Sequence, residues 1–303
     1  MRLLTILLFS GIFLLVGCDT RRDILDPASD ETAIELSVKW NNLFEGVKPT
    51  DVRVIFYPQS GGEPIERTIT DDYIKEFLPA DTYDILIYNQ PPASVCFRGL
   101  EQFSTSEAYV EEEVAQKEHS LQPIAQQPTM LYSVGVAANK LTEGTTLKLD
   151  VSPRPRVSVL NFKIKIEGMN PDNVDLCHGE ISYMSPSINL VSGEKEMVPF
   201  RHVYEATPTA EGFQFTVMTF GVISATEAEK EGTNLNLMFT TKEGNEIVKT
   251  IDVSKELDKV LDENKENVNV DVNIEAEVET PQVSITATVI PWNGDSGSGE
   301  IEQ

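Results

Sequence analysis

The side chains in this sequence that could do chemistry are few and poorly grouped. Three histidines occur, His119, His178 and His202, and no two of them have a spacing that binds a metal. Cys177 and His178 are adjacent and could pair as nucleophile and base, but neighbours on a strand point to opposite faces of the sheet. Motifs for serine hydrolases, phosphate-binding loops and zinc hydrolases are missing from the sequence. We therefore predict no catalytic residues, no metal and no cofactor.

Runs of acidic residues are the second group of chemical candidates. Asp71-Asp72 and Glu111 to Glu113 could serve as paired carboxylates of a glycosidase or as calcium ligands. No spacing in the sequence places a second carboxylate opposite either run, and no calcium-binding loop motif occurs. We interpret both runs as solvated surface.

Cys18 has the clearest chemical assignment in the chain. Arg2 is followed by an apolar run from Leu3 to Val16, and the run ends in Leu-Val-Gly-Cys. This order is typical of a secretory signal peptide that ends in a lipobox, in which the cysteine thiol carries a lipid. A run of about 16 apolar residues is shorter than the roughly 20 that a membrane-spanning helix needs. We predict a signal peptide over residues 1–18, a lipid on Cys18, and a polar tether over residues 19–31.

The overall charge limits the partners of the chain. The formal net charge is −25, and an acidic surface does not favour binding to nucleic acid or to anionic lipid headgroups. We therefore predict no nucleic-acid partner and contact with the membrane only through the acyl chains on Cys18. A disulfide between Cys96 and Cys177 is compatible with an exported protein, but we favour two buried free thiols.

Alternating apolar and polar residues indicate strands throughout the remaining sequence. Ile34 to Trp40 alternates strictly, and Val52 to Tyr57 and Tyr83 to Tyr88 are rich in residues that favour strands. Two prolines at Pro153 and Pro155 are incompatible with a paired central strand. We therefore place one domain at residues 32–151 and a second at residues 152–292.

The second domain shows the same type of pattern. Val268 to Val278 and Val283 to Val289 alternate, and only Lys255 to Lys265, with Ser254 as a candidate N-cap, has helical spacing. Residues 293–303 are predicted to form a flexible acidic tail. About seven strands per half and almost no helix predict an all-β protein, with two tandem antiparallel β-sandwiches and one short helix in the second.

Aromatic residues could line a cleft that binds sugars. The candidates alternate along predicted strands, where core packing is the more common role, and they are Trp40, Tyr57, Tyr88, Phe213 and Phe215. We favour core packing over a cleft.

Several short motifs resemble the fimbrillin-like lipoproteins, a family that includes the major and minor fimbrial subunits of type V pili. The lipobox and polar tether, the Pro-Arg-Pro-Arg sequence from Pro153 to Arg156 and a terminal Ile-Pro-Trp ending at Trp292 are similar to that family, as are residues 176–184 and 213–221. The resemblance implies two transthyretin-like domains and export to the outer membrane and the cell surface or fimbrium. It also implies that the chain acts as a pilus subunit (shaft, anchor or accessory) or as an adhesin, with other pilus subunits as partners.

The resemblance also implies how such subunits assemble. In polymerising members a protease removes the first strand of the N-terminal domain, and a strand of the next subunit replaces it by β-augmentation. On this sequence the removable strand carries Ile34, Leu36, Val38 and Trp40, and the candidate donor strand carries Val283, Ile285, Ala287 and Val289.

The candidate processing residues are Lys48 and Arg53. Between Trp40 and Val52 the sequence has Lys48 but no arginine, and Arg53 lies within the next predicted strand. Two alternatives stay open at this point. One is a free-standing surface lipoprotein that binds glycan or a host ligand, and the other is an enzyme of unknown chemistry.

Overall fold

The computed structural model describes residues 32–41, 43–91, 94–113, 123–167, 171–223, 232–263, 269–277 and 287–290. The predicted signal peptide, Cys18, the tether, His119, Val283, Ile285 and the acidic tail lie outside these residues. Within them the chain is built from strands, three short 3-10 turns and one α-helix, so the predicted all-β fold is confirmed. None of the helices in this part of the chain has both the length and the apolar character needed to cross a membrane.

Twelve strands lie in the first half of the chain. They are β1 (Thr32–Val38), β2 (Val52–Pro58), β3 (Ile65–Ile69), β4 (Tyr73–Leu78), β5 (Thr82–Asn89), β6 (Cys96–Arg98), β7 (Glu107–Tyr109), β8 (Glu112–Glu113), β9 (Ile124–Ala125), β10 (Tyr132–Lys140), β11 (Thr146–Val151) and β12 (Arg154–Pro155).

Nine strands and the α-helix lie in the second half. They are β13 (Ser158–Glu167), β14 (Val174–Met184), β15 (Ser187–Asn189), β16 (Phe200–Pro208), β17 (Gly212–Thr219), β18 (Asn234–Thr241), β19 (Glu246–Asp252), α1 (Ser254–Glu263), β20 (Asn269–Glu277) and β21 (Ala287–Ile290).

Both halves contain the same seven-strand arrangement. In the first half, sheet β11-β1-β4 faces sheet β10-β5-β2-β3. In the second half the corresponding orders are β20-β13-β17 and β19-β18-β14-β16, which the pairing of β16 with β17 joins into one continuous sheet. In the first half, β1 pairs with β11 in parallel and with β4 in antiparallel orientation. In the second half, β13 pairs in the same way with β20 and with β17. The prediction of purely antiparallel sandwiches is therefore incomplete, since alternation shows that a strand has one buried face but not which strand lies beside it.

The two halves share a third hydrophobic core in addition to one core each. Strands β2 and β5 are buried on both faces. One face packs in the shared core through Ile55, Tyr57, Leu86 and Tyr88. The other face packs in the core of the first half through Val54, Phe56, Ile85 and Ile87. Residues of the second half complete this core, namely Val157, Ile188, Leu190 and Phe220. The strand pairs β7·β15 and β9·β16 also connect the halves. The halves are therefore packed against each other over a continuous apolar surface.

Arg156 lies in the connection between the halves. Its guanidinium donates hydrogen bonds to Ser133 Oγ (2.7 Å) in the first half and to the carbonyl oxygens of Leu190 (3.1 Å) and Val191 (3.3 Å) in the second. Burial lowers the pKa of Arg156 to about 10. Arg156 thus bridges the two halves through hydrogen bonds to neutral oxygens.

Several predicted boundaries differ from the structure. Strand β1 ends at Val38, so Trp40 lies beyond the strand rather than in it. The helix begins at Ser254, where the Asp252 carboxylate accepts a hydrogen bond from the Ser254 N–H (3.0 Å), so Ser254 does not act as the predicted N-cap. Arg154–Pro155 pairs with the edge of β10, a position in which proline removes no bond from a central strand.

Candidate functional site

The candidate site is the position of β1 between its two neighbours, which we call the β1 groove. Strand β1 pairs with β11 on one side, from Ala33–Thr146 to Val38–Val151, and with β4 on the other. It is therefore the middle strand of a three-stranded sheet, and its loss would leave two strand edges with unpaired backbone groups.

The inner face of β1 fills an apolar slot. Ile34 and Leu36 have no exposed surface, and Val38 is 5% exposed. They pack against residues of the opposite sheet such as Val54 and Phe56. Full burial of a side chain of this size contributes about 1.5–3 kcal/mol, so these apolar side chains are a main part of what holds β1 in its sheet.

The outer face of β1 carries a charged row. Glu35 lies between Lys148 on β11 and Lys75 on β4, with Oε2–Nζ and Oε1–Nζ distances of 3.0 and 3.2 Å. Hydrogen bonds from Lys148 and then Lys75 lower the pKa of Glu35. The side chain of Phe77 lies on the same face of β4, 49% exposed, with Lys75 Nζ 5.9 Å from its ring centroid.

Asp72 is one of several residues that hold the connection from β1 to β2, and Tyr132, whose hydroxyl accepts a hydrogen bond from the Phe44 N–H (2.7 Å), is another. Asp72 and Asp71 have positive φ angles (59° and 58°) in the tight turn between β3 and β4. The Asp72 carboxylate accepts a hydrogen bond from Trp40 Nε1 (2.7 Å) and forms an ion pair with Lys48. Burial raises the pKa of Asp72, but the hydrogen bonds from Lys48 and Trp40 outweigh that effect and lower it. Asp72 is thus a structural turn residue and not freely solvated, contrary to our interpretation of this acidic pair.

The two candidate processing residues lie in different environments. Lys48 follows an exposed 3-10 turn, and the neighbouring Val47 is 65% exposed. Arg53 lies inside β2, which is paired on both sides, and its side chain forms ion pairs with Asp51 and Glu66. A protease needs an extended and accessible backbone, which Lys48 offers in the folded chain and Arg53 does not. Pro49 directly follows Lys48, however, and a trypsin-like protease does not cut a Lys–Pro bond.

The candidate donor segment is described only in part. Ala287 and Val289 lie in β21, at the edge of the second-half sheet, where they pair with Ala276 and Ile274 of β20. In the first half, the edge of β11 that corresponds to β20 has no partner strand among the described residues.

The aromatic residues considered for a sugar cleft are in the core. Tyr57, Tyr88, Phe213 and Phe215 are buried, and Trp40 is partly buried with its ring edge against Tyr132 at a centroid distance of 5.7 Å. The preference for core packing is confirmed, and these residues form no exposed platform.

The described thiols and imidazoles, Cys96, Cys177, His178 and His202, belong to strands β6, β14 and β16 and not to β1, β4 or β11. Cys96 and Cys177 are free, but Cys96 is only half-buried, so the expectation of two buried thiols is wrong for Cys96. Burial raises the pKa of Cys177 to about 12, which disfavours the reactive thiolate. The described ranges contain no group of three or more His, Cys, Asp or Glu side chains that could hold a metal ion.

Sequence reasoning missed the lysines that flank Glu35. Lys75 and Lys148 are far from Glu35 in the chain, and only the pairing of β1 with both β4 and β11 brings the three side chains together. The alternation of β1 identified Glu35 as outward-facing, but nothing local indicated its partners.

Comparison with known proteins relates the chain to fimbrial proteins. A candidate fimbrium anchoring subunit, Fim4B of Bacteroides ovatus, is 27% identical over 168 residues, which are 54% of this chain. The match covers 49% of the relative, so the chain spans about half of the length of that protein. A crystal structure of a candidate adhesin from B. ovatus has a TM-score of 0.61 at 21% identity, covering 75% of this chain and 84% of the other. The fimbrial anchor protein Mfa2 of Porphyromonas gingivalis has a TM-score of 0.55 at 9% identity, covering 86% and 98%.

Because the two solved structures are only 21% and 9% identical to this chain, their similarity shows a shared fold and nothing further. The model of the family described as Domain of unknown function (DUF5119) matches residues 17–205, which is more than half of the chain. The fimbrial relatives agree with the fimbrillin-like resemblance predicted from the sequence, and the chain belongs to the DUF5119 family.

Proposed function

We propose that the chain is a fimbrial subunit or adhesin of the cell surface that joins neighbouring subunits by β-strand exchange at the β1 groove. The observation that carries this proposal is the position of β1. It is the middle strand of its sheet, it supplies fully buried Ile34 and Leu36, and a single exposed connection joins it to β2. The name of the Bacteroides ovatus relative, a candidate fimbrium anchoring subunit, supports the same assignment.

The physical basis of exchange is β-augmentation. Without β1, the edges of β4 and β11 present unpaired N–H and C=O groups around an apolar slot, and a strand with alternating apolar residues satisfies both. The segment that contains Val283, Ile285, Ala287 and Val289 has this pattern and is our candidate donor to a neighbouring subunit.

The lipid would attach upstream of the exchangeable strand. If Cys18 carries the lipid, a cut after Lys48 leaves Cys18 and β1 on one fragment and all the other strands on the second fragment. Only the contacts of β1 would then hold the body of the protein at the outer membrane. An uncut connection therefore favours an anchoring role, and a cut connection favours a role in the fimbrial shaft.

Limited trypsin digestion of the mature protein tests the proposal. The Pro49→Ala variant is used, because trypsin does not cut the native Lys48–Pro49 bond. Cleavage after Lys48 is followed by mass spectrometry, and a fluorescent peptide of residues 32–38 is then added just below the unfolding temperature. We expect the labelled peptide to enter the cut protein and displace the resident β1 fragment. The control peptide has the same composition in a scrambled order that breaks the alternation, and Lys48→Gln is the uncut control protein.

Two results decide the outcome. If the cut protein keeps its original fragment and takes up no labelled peptide, strand exchange at β1 is wrong. If exchange occurs, size-exclusion chromatography of the cut protein alone separates the roles, because a ladder of oligomers indicates a shaft subunit and a monomer indicates an anchoring or accessory subunit.

A further inference from the structure

The apolar slot of the β1 groove does not choose between strands, but the charged row on its outer face can. Glu35 is the only acidic residue of β1, and its neighbours on the outer face, Ala33 and Ser37, are uncharged. Each carboxylate oxygen of Glu35 forms an ion pair, Oε2 with Lys148 and Oε1 with Lys75. Glu35 is directly opposite Lys148 in the β1–β11 pairing and directly opposite Lys75 in the β1–β4 pairing, so the three residues form one row across the sheet.

A strand that lacks a carboxylate at this level leaves the two ammonium groups without their shared partner. Lys75 and Lys148 are attached two strand spacings apart, roughly 10 Å, and the carboxylate between them is the group that offsets their charge. Exposed ion pairs of this kind are individually weak, but Glu35 combines two of them, because its carboxylate accepts a hydrogen bond from each lysine.

The candidate donor segment of this chain has no such carboxylate. In Val283 to Val289 the residues between the apolar positions are Ser284, Thr286 and Thr288, all uncharged. This holds in every register that places the apolar residues inward, so no shift of the strand along the groove would bring an acid opposite the lysines.

We propose that Lys75 and Lys148 make the β1 groove selective for a strand with a carboxylate at its middle outward position. The groove then discriminates against the C-terminal strand of another copy of this chain, and its replacement partner is an acidic strand of a different subunit. This inference rests on the proposed function, because it specifies which strand takes part in the exchange.

The test uses the full mature chain with Pro49→Ala, cut after Lys48 by trypsin, and competition against the fluorescent peptide of residues 32–38. The competitors are the native peptide, its Glu35→Gln and Glu35→Lys variants, and a peptide of residues 282–290. We expect the Gln peptide and the 282–290 peptide to bind about threefold to thirtyfold more weakly than the native peptide, as for the loss of two exposed ion pairs. The Lys peptide should bind more weakly still, and 0.5 M salt should reduce all of these differences.

Charge reversal in the protein gives the decisive comparison. In Lys75→Glu/Lys148→Glu the order of the peptides should reverse, so that the Glu35→Lys peptide binds best. Both substitutions are on exposed ends of side chains, and the control Lys140→Glu/Lys242→Glu changes two exposed lysines by the same net charge while leaving the groove unaltered.

The outcomes separate the inference from the function. If all peptides exchange with equal affinity, or if the charge-reversed protein keeps the original order, the charge selectivity is wrong and strand exchange stands. If no peptide exchanges in any variant, the proposed function is wrong and the selectivity falls with it.

Discussion

Acidification should weaken the folded protein through one buried imidazole, His202. This side chain has no exposed surface and lies in β16, where the first-half strand β9 pairs with the second half. Its Nδ1 lies 3.0 Å from the carbonyl oxygen of Ala125. Because a carbonyl only accepts hydrogen bonds, Nδ1 carries the proton, and Nε2 has no hydrogen-bond partner in the described part of the chain.

The direction and size of the effect follow from linkage. Burial lowers the pKa of His202 from 6.5 to about 4. The unfolded chain therefore binds a proton at a higher pH than the folded chain, so the stability is complete above pH 6.5 and is lost as the pH falls towards 4. Between pH 7.5 and 4.5 the loss is about 2.5 kcal/mol for this group alone.

Urea denaturation at a series of pH values, with His202→Phe as the comparison, measures this effect. The variant keeps an aromatic ring but cannot titrate, and it should cost about 1 kcal/mol at pH 7.5 from the lost hydrogen bond to Ala125. The difference between the two proteins should then shrink and reverse as the pH falls to 4.5. Carboxyl groups with lowered pKa values, such as Glu35, affect both proteins alike and act at lower pH. A difference that stays constant from pH 7.5 to 4.5 would show that His202 does not titrate in this range.

Three substitutions test the remaining structural arguments. Arg156→Met should lower the free energy of unfolding by about 1–3 kcal/mol, because it removes hydrogen bonds between the halves. Urea denaturation measures this effect, with Arg154→Met at an exposed position as the control. Equal effects of the two substitutions would contradict the bridging role of Arg156. Leu36→Ala should lower the free energy of unfolding by about 2–5 kcal/mol, because it opens a cavity in the buried slot. Calorimetry should show a much smaller loss for Leu176→Ala, because Leu176 is 40% exposed. Pro49→Ala should allow early tryptic cleavage after Lys48, a bond that the native proline protects, as read by mass spectrometry. If the variant is not cut there, the connection between β1 and β2 is not accessible to the protease.

Much of the strand pattern could be predicted from the sequence, because one-sided burial leaves a local signal. Strict alternation marked the apolar residues of β1 and β20, which the structure buries on one face. Helical spacing likewise identified α1, whose Leu257 is fully buried. These features depend only on neighbouring residues in the chain.

The shared core had a sequence signal that we did not interpret. Ile55 to Tyr57 and Ile85 to Tyr88 are continuous apolar runs, which indicate strands buried on both faces. A strand at the surface of an isolated sandwich would show polar residues at every second position. The runs therefore indicated that the first half has a second buried face, although not that the second half covers it.

The charged row of the β1 groove could not be predicted in the same way. Glu35 is adjacent to two lysines only because β1 pairs in parallel with β11 and in antiparallel orientation with β4. Parallel pairing joins segments far apart in sequence, and neither hydrophobic pattern nor turn residues specify it. The position of Arg53 inside a doubly paired strand likewise follows from tertiary pairing.

The repeated topology provides an internal comparison for the strand that we propose to be exchangeable. Strand β13 has the same place in the second half as β1 in the first, between a parallel and an antiparallel partner. In the chain, β12 precedes β13 and β14 follows it. The parallel partner of β13, β20, pairs on its other side with β21. Described strands lie on both sides of β13 in the chain, whereas all the other described strands follow β1.

The outward rows of these two strands also differ. Asn161 of β13 donates a hydrogen bond to the Asp271 carboxylate (3.2 Å) and accepts one from the Thr216 hydroxyl (2.9 Å), so at this level of its row the central residue is a neutral amide. In the β1 row a single carboxylate is shared by two lysines, and any uncharged replacement leaves both lysines without it. The apolar slots of the two halves are alike in kind. In our proposal, chain connectivity therefore determines which strand is released, and charge on the solvent face determines which strand replaces it.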